Sequence, residues 1–305
     1  MAVNSVAGAD TQPVDVVKAY VALTKPRIIE LLLVTTVPAM FLAAGGLPPW
    51  TLIIVTLVGG TLAAASANTF NSVLDADMDE KMRRTRRRPM ARHQIPPANA
   101  VVFGIVLGIL ATLILGFGAN WLSAILALAA NAIYVFVYTM WLKRRTWQNI
   151  IWGGIAGCFP PLIGWTAVTG SVAWAPLILF GIVFLWTPPH TWALAFRYKE
   201  DYAAGGVPML SVVKPAPFVA MQIFSYTVAT VAMSLLLWPV APTGPLYPIA
   251  AGILGAVMIY EAALLWRRAR AGHEGPQLKA MRLFHLSNTY LALLFLAVAI
   301  DPLIF

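Results

Sequence analysis

Long apolar runs dominate this chain, and short polar stretches separate them. A spanning helix needs about 20 mostly apolar residues. Nine such runs occur: 28–47, 51–72, 98–118, 122–142, 149–169, 174–192, 218–238, 246–265 and 283–303. The pattern predicts an all-α polytopic membrane protein with nine transmembrane helices. Residues 1–22 are expected to form a cytoplasmic N-terminal tail. Residues 23–305 read as a single transmembrane domain of two weakly similar halves, about 23–145 and 146–305. Each half ends one span in an acidic and basic loop, which suggests one shared site at one membrane face.

Charge sharpens this picture. All 21 lysines and arginines fall in the N-terminal stretch or in alternate loops: 81–92, 143–145, 197–214 and 267–282. The intervening loops, such as GGLPPW and VTGSVAW, carry none. The positive-inside rule therefore puts the N-terminus in the cytoplasm and, with nine spans, the C-terminus outside. Trp50, Trp121, Trp174 and Trp238 lie near the expected outer ends, as an interfacial belt would.

The composition, 60% hydrophobic and 11% charged, is wrong for a soluble domain. The net charge of +9 sits in loops between spans and not on one polar face, which argues against nucleic acid as a partner. One cysteine, Cys158, excludes an internal disulfide. The first residues resemble neither a cleavable signal nor an Arg-rich transit peptide. The expected location is a bacterial plasma (inner) membrane, with membrane lipid as the surrounding partner.

The chemistry concentrates in 68–89, NTFNSVLDADMDEKMRRTRRRP. Asp75, Asp77, Asp79 and Glu80 are four of only twelve acids in the chain. Asn71, Asp75 and Asp79 are spaced i, i+4, i+8, which on a helix puts them on one face. Such a row of oxygens suits Mg²⁺, which takes one or two carboxylates and leaves positions for phosphate and water. Asp77 points elsewhere unless the helix unwinds there. The bland reading is a solvated, charge-balanced helix end, but three oxygens on one stripe exceed what charge balance needs. The bases that follow, Arg83 among them, serve as a topology signal or as forks for a diphosphate. Lys25, Arg27, Lys143 and Arg144 are ordinary helix-end anchors alone and candidate diphosphate ligands beside an acidic helix end. In TPPHTWALAFRYKEDY, the Pro188–Pro189 pair is expected to break the helix and line a cavity beside His190. Glu30, Asn131, Asn149, Glu261, His285 and Asn288 are polar residues expected to be buried. Tyr134 and neighbouring aromatics are packing residues or shields for a carbocation.

These motifs, with LTKPRI at 23–28 and YTMWLKRRTWQNIIWGG at 138–154, resemble the UbiA superfamily of intramembrane prenyltransferases. The His-containing block at 186–210 resembles the heme-farnesylating branch. The resemblance covers nearly the whole chain. It implies a helical bundle around a central cavity opening to the cytoplasm, farnesyl diphosphate as donor, heme B as acceptor and heme O as product. It implies Mg²⁺ on Asn71, Asp75 and Asp79 as catalytic residues, and His190, Arg197, Tyr198, Lys199 and Asp201 on the acceptor side. A downstream heme-modifying enzyme is an implied partner. The superfamily's second acidic motif is incomplete, because Gly205 stands four residues after Asp201. Rival readings are prenylation of an aromatic quinone precursor, a non-catalytic heme-handling subunit, and a cation-coupled transporter using Glu30 and Glu261.

Overall fold

A computed structural model describes residues 13–305, apart from the side chains of 13–15 and 27–33. The described residues are helical throughout, with no strand. α1 (Pro13–Thr24) and α2 (Pro26–Ala44) are followed by α3 (Trp50–Leu74) and the short α4 (Ala76–Lys81). Next come α5 (Pro97–Gly118) and α6 (Trp121–Ala132), the latter continued by a π-helical segment, Ile133–Leu142. α7 (Asn149–Gly153) and α8 (Phe159–Thr169) are joined by a 3₁₀ turn. α9 (Trp174–Arg197) leads to the short α10 (Lys199–Ala204) and α11 (Leu210–Val213). α12 (Ala216–Leu236), α13 (Leu246–Arg270) and α14 (Ala280–Ile304) complete the chain.

Among the described residues, eight helices are long and apolar enough to cross a membrane. The expected first span coincides with α2, whose shorter apolar part is Val34–Ala44. Glycines at helix ends stop the chain cleanly. Gly45 (φ 60°) and Gly170 (φ 66°) take the left-handed conformation after α2 and α8, where an L side chain would be strained.

Consecutive spans pack side by side and form a closed ring, α2–α3–α5–α6–α8–α9–α12–α13–α14, with α14 returning to α2. The main core lies between α9, α12, α13 and α14, around Trp186, Trp192, Tyr247, Tyr290 and Phe295. The large side chains on the outside, such as Ile105, Ile109, Phe136 and Ile253, are exposed and apolar, as lipid contact requires. Trp50, Trp121, Trp174 and Trp238 are all exposed at helix ends.

α1 docks through Ala19 and Leu23 on Met90, Ile95 and Ala100. Two expectations need correction. α9 does not break at Pro188–Pro189 but runs on to Arg197. His285 is exposed, not buried.

A cavity of about 370 Å³ opens within the ring. Its wall is small and apolar along α3 and α6, with Tyr134 and Tyr138 near one end and Thr187 and Thr191 of α9 on the opposite side.

Candidate active site

The acidic stretch closes the end of α3. Asn71, Asp75 and Asp79 are 3%, 0% and 2% exposed. α3 stops at Leu74, and Asp75 (φ −97°, ψ 2°) forms the joint to α4. The helix is therefore interrupted inside the row, although the Asp79 N–H still donates to the Asp75 carbonyl at 2.8 Å. Asn71 Nδ2 donates to Asp75 Oδ2 at 2.7 Å, and to Thr139 Oγ1 at 3.0 Å. Asp77 leaves the row at this joint and turns to Arg144.

Cations surround these oxygens. Lys143 Nζ pairs with Asp75 Oδ2, and Lys25 Nζ donates to Asn71 Oδ1. Arg88 Nη1 donates to both oxygens of Asp79, at 3.0 and 2.8 Å. Lys25 reaches inward from a left-handed backbone (φ 51°, ψ 61°) just before Pro26. A non-glycine residue there stores strain, which the structure holds beside the acidic row. Burial, and then the Arg88 and Lys143 charges, push the Lys25 ammonium down to about 7.

The π-helical segment brings the second wall into place. A π turn advances by about five residues in place of four. The Lys143 N–H accordingly donates to the Tyr138 carbonyl, and Thr139 Oγ1 to that of Tyr134. Tyr134 and Tyr138 thus share a face, with ring centroids 5.5 Å apart, while Thr139 and Lys143 meet the acids. Gly153 makes this possible, since a Cβ there would lie 2.1 Å from Tyr138 Cδ2.

The remaining expected residues separate into two groups. Arg144 grips Asp77 at 2.6 and 2.8 Å and donates to the Leu74 carbonyl at 2.9 Å, locking the α3–α4 joint. That hydrogen bonding holds the Asp77 carboxyl below its usual range and raises Arg144. Arg83 does not touch the acidic row. It pairs with Glu200 at 3.3 Å and lies 3.6 Å from Asp201, at the exposed surface. Asp201 also accepts from the Arg84 N–H at 3.1 Å, and the Arg84 guanidinium lies over Tyr198 and Tyr202. Asp201, Tyr198 and Arg83 therefore belong to a clasp between the α4 and α10 loops. A side chain at position 205 would have to displace Met82, whose Sδ would lie 2.8 Å from its Cβ. Arg197 and Lys199 are exposed, and Arg197 lies against Tyr198. The side chains of Arg27 and Glu30 fall outside the described residues.

His190 is held as a layer between Trp186 and Phe284, at centroid distances of 4.3 and 4.5 Å. Ser287 Oγ donates to the Phe284 carbonyl at 2.8 Å, so its remaining role toward His190 Nδ1, 2.9 Å away, is acceptor. That pairing favours the tautomer with the proton on Nδ1, which would leave Nε2 its lone pair. Trp186 Nε1 fixes the same turn by donating to the Ser287 carbonyl at 2.8 Å.

Glu261 is buried, but Arg268 at 3.2 Å and Arg282 at 3.1 Å neutralise it. It joins α13 to the start of α14, which is a structural clamp and not an ion pathway. Thr139, Ser287 and Phe284 escaped sequence reasoning, and within the basic run nothing distinguished Arg88, nine residues from Asp79, from its neighbours. The π spacing hides Thr139, and the α14 pair carries no motif.

The acidic donors suit a hard cation. Asp75 Oδ1 is buried with no hydrogen-bond partner, and the row offers oxygens only. No group of three or more His, Cys, Asp or Glu side chains suited to a metal occurs among the described residues. Asn71 and two carboxylates would thus leave the other coordination positions to a phosphate ligand and water.

Residues 32–289 match the UbiA prenyltransferase family. The chain is 71% identical over 290 residues to a protoheme IX farnesyltransferase of Cutibacterium acnes, covering 95% of this chain and 86% of that one. It is 62% identical to the protein of that name from Nocardioides sp., over 95% and 92% of the two chains. In three dimensions it is similar to a digeranylgeranylglyceryl phosphate synthase, with TM-score 0.77, 18% identity and 95% and 99% coverage. A UbiA homolog from Archaeoglobus fulgidus bound to DMAPP and Mg²⁺ superposes with TM-score 0.65 at 16% identity, covering 92% of this chain and 99% of that one. At those identities the last two likenesses establish the fold.

Proposed function

The chain belongs to the UbiA prenyltransferase family, and from that premise we propose that it transfers a farnesyl group from farnesyl diphosphate to a vinyl group of heme B. The observation that carries this reading is the buried Asn71–Asp75–Asp79 row. Lys25, Lys143 and Arg88 ring it, and an apolar cavity of about 370 Å³ lies beside it. Such a site accommodates a molecule with a polyanionic head and a greasy tail. The names of the relatives support heme as acceptor, and so does the stacked His190 with an open Nε2.

The chain's own residues divide the work. Lys25, Lys143 and Arg88 bind diphosphate oxygens by charge-assisted hydrogen bonds. Asn71, Asp75 and Asp79 hold Mg²⁺, and that ion when bound supplies electrostatic neutralisation of the departing diphosphate. The allylic C–O bond breaks and its electron pair leaves with the diphosphate. Tyr134 and Tyr138 present ring faces to the cationic tail, and the apolar wall keeps water away. The vinyl π pair then forms the new C–C bond. Water adds to the resulting benzylic-type cation and loses a proton, leaving a hydroxyethyl linkage. A vinyl group needs no general base for its attack. His190 Nε2 orients the heme through its iron, and Arg197 and Lys199 suit the propionates at the surface.

The confinement of lysine and arginine to alternate loops supports a site at the cytoplasmic face of a bacterial plasma membrane. The test is incubation of purified protein with farnesyl diphosphate, heme B and Mg²⁺, followed by mass spectrometry of the hemes. The expected product carries heme plus a farnesyl and a hydroxyl group. Unchanged heme B, with transfer to an aromatic ring acid under the same conditions, would overturn the reading in favour of a quinone-precursor enzyme.

A further inference from the structure

The cavity runs along one face of α3, and its lining there ends at Asn68, three residues before Asn71. Thr56, Gly60, Ala63, Ala64, Ala67 and Asn68 line it from that helix. Two adjacent glycines of α3 behave differently. At Gly59 a Cβ would meet Leu115 Cγ at 2.6 Å, so that glycine serves packing against α5. At Gly60 a Cβ would meet nothing within 4 Å, so its missing side chain is open cavity. One turn deeper stands Thr56, fully buried, with an Oγ1 that has no hydrogen-bond partner. With no exposure at Thr56, no open space is left beside it for a further length of apolar chain.

Lengths can be compared along the helix axis. From Asn71, Gly60 is eleven residues away, about 16 Å, and Thr56 fifteen, about 22 Å. At carbon–carbon bonds near 1.5 Å, an extended tail of two isoprene units reaches about 9 Å, three about 14 Å and four about 19 Å. The diphosphate and its ion occupy the first several ångströms beyond Asn71. A third unit then falls beside Gly60, and a fourth runs into Thr56.

We propose that Gly60 and Thr56 set the length of the prenyl donor: Gly60 makes the space for the third isoprene unit, and Thr56 is the floor that ends the tail. This rests on the prenyl-transfer reading above and adds to it the residues that select among donors. Both residues are specificity determinants, and neither touches the reacting carbon.

The test measures binding and turnover separately. Purified protein in lipid nanodiscs with Mg²⁺ is titrated calorimetrically with geranyl, farnesyl and geranylgeranyl diphosphate, without acceptor. The three donors then compete in the presence of heme B. Wild type should bind farnesyl diphosphate best. Gly60→Leu should weaken farnesyl binding at least tenfold, the scale of a few methylenes in an apolar pocket, and leave geranyl binding within threefold. Gly60→Ala should move the same ratio in the same direction by less, and it carries the test if the larger variant does not fold. Thr56→Ala should raise the geranylgeranyl-to-farnesyl ratio at least fivefold. Equal losses for all donors, or unchanged ratios in folded variants, would overturn the assignment while leaving prenyl transfer intact. A wild type that binds none of the three donors would instead defeat the reading beneath it.

Discussion

Asp75→Asn separates the two tasks assigned to the acidic row. Asp75 is completely buried, paired with Lys143 through Oδ2 and unpartnered at Oδ1. Its immediate group holds two carboxylates, Asp75 and Asp79, against three cations, Lys25, Lys143 and Arg88. The net formal charge of +1 becomes +2 in the variant. A unit charge roughly 6 Å from a diphosphate oxygen interacts at about 3 kcal/mol with an effective dielectric of 20. Removing Asp75 deletes a repulsion of that order from metal-free diphosphate binding and frees Lys143 to bind. Lys143 also lacks a partner in the empty variant, a penalty of about 1–3 kcal/mol that binding relieves and that adds to the gain. Metal-free pyrophosphate affinity should therefore rise, by about tenfold or more. Mg²⁺-supported turnover should instead fall by about 10³ or more, equivalent to about 4 kcal/mol of transition-state stabilisation. The assays are pyrophosphate calorimetry with chelator and Mg²⁺-dependent heme conversion, each on protein whose melting temperature has been recorded. Turnover above one-tenth of wild type would refute the reasoning. So would a large loss of metal-free pyrophosphate binding, because the carboxylate would then be organising the cations and not gripping an ion.

Further perturbations discriminate among neighbouring residues. Arg88→Ala should raise the KM for the donor at least tenfold, whereas Arg83→Ala, which breaks only exposed pairs with Glu200 and Asp201, should change it less than threefold. Ser287→Ala removes the acceptor that keeps the His190 proton on Nδ1, so the KM for heme should rise several-fold with the donor KM unchanged. Equal changes in both constants would point to general misfolding of α14. Glu261→Gln leaves Arg268 and Arg282 without their shared acid, and should lower unfolding stability by about 2 kcal/mol, discounted because Arg282 is largely exposed. Thermal melts in detergent would read this, and transfer activity below the melt should persist.

The amino-acid sequence by itself determined the membrane architecture and singled out the candidate site. Twenty-residue apolar runs must become helices in lipid, since no other open segment satisfies its backbone there. The confinement of every lysine and arginine to alternate loops is a linear pattern, readable without coordinates. Asn71, Asp75 and Asp79 were legible for the same reason, because their spacing is local. What only the tertiary structure decided are contacts made across long stretches of chain. Arg83 and Arg88 are indistinguishable in a basic run, yet one joins a surface clasp and the other Asp79. The joint at Asp75, the π turn that aims Tyr138 and Lys143, and Ser287 beneath His190 lack a helical period that would announce them. Gly59 and Gly60 are identical letters side by side, but a 100° step between successive residues turns one into packing and the other into cavity.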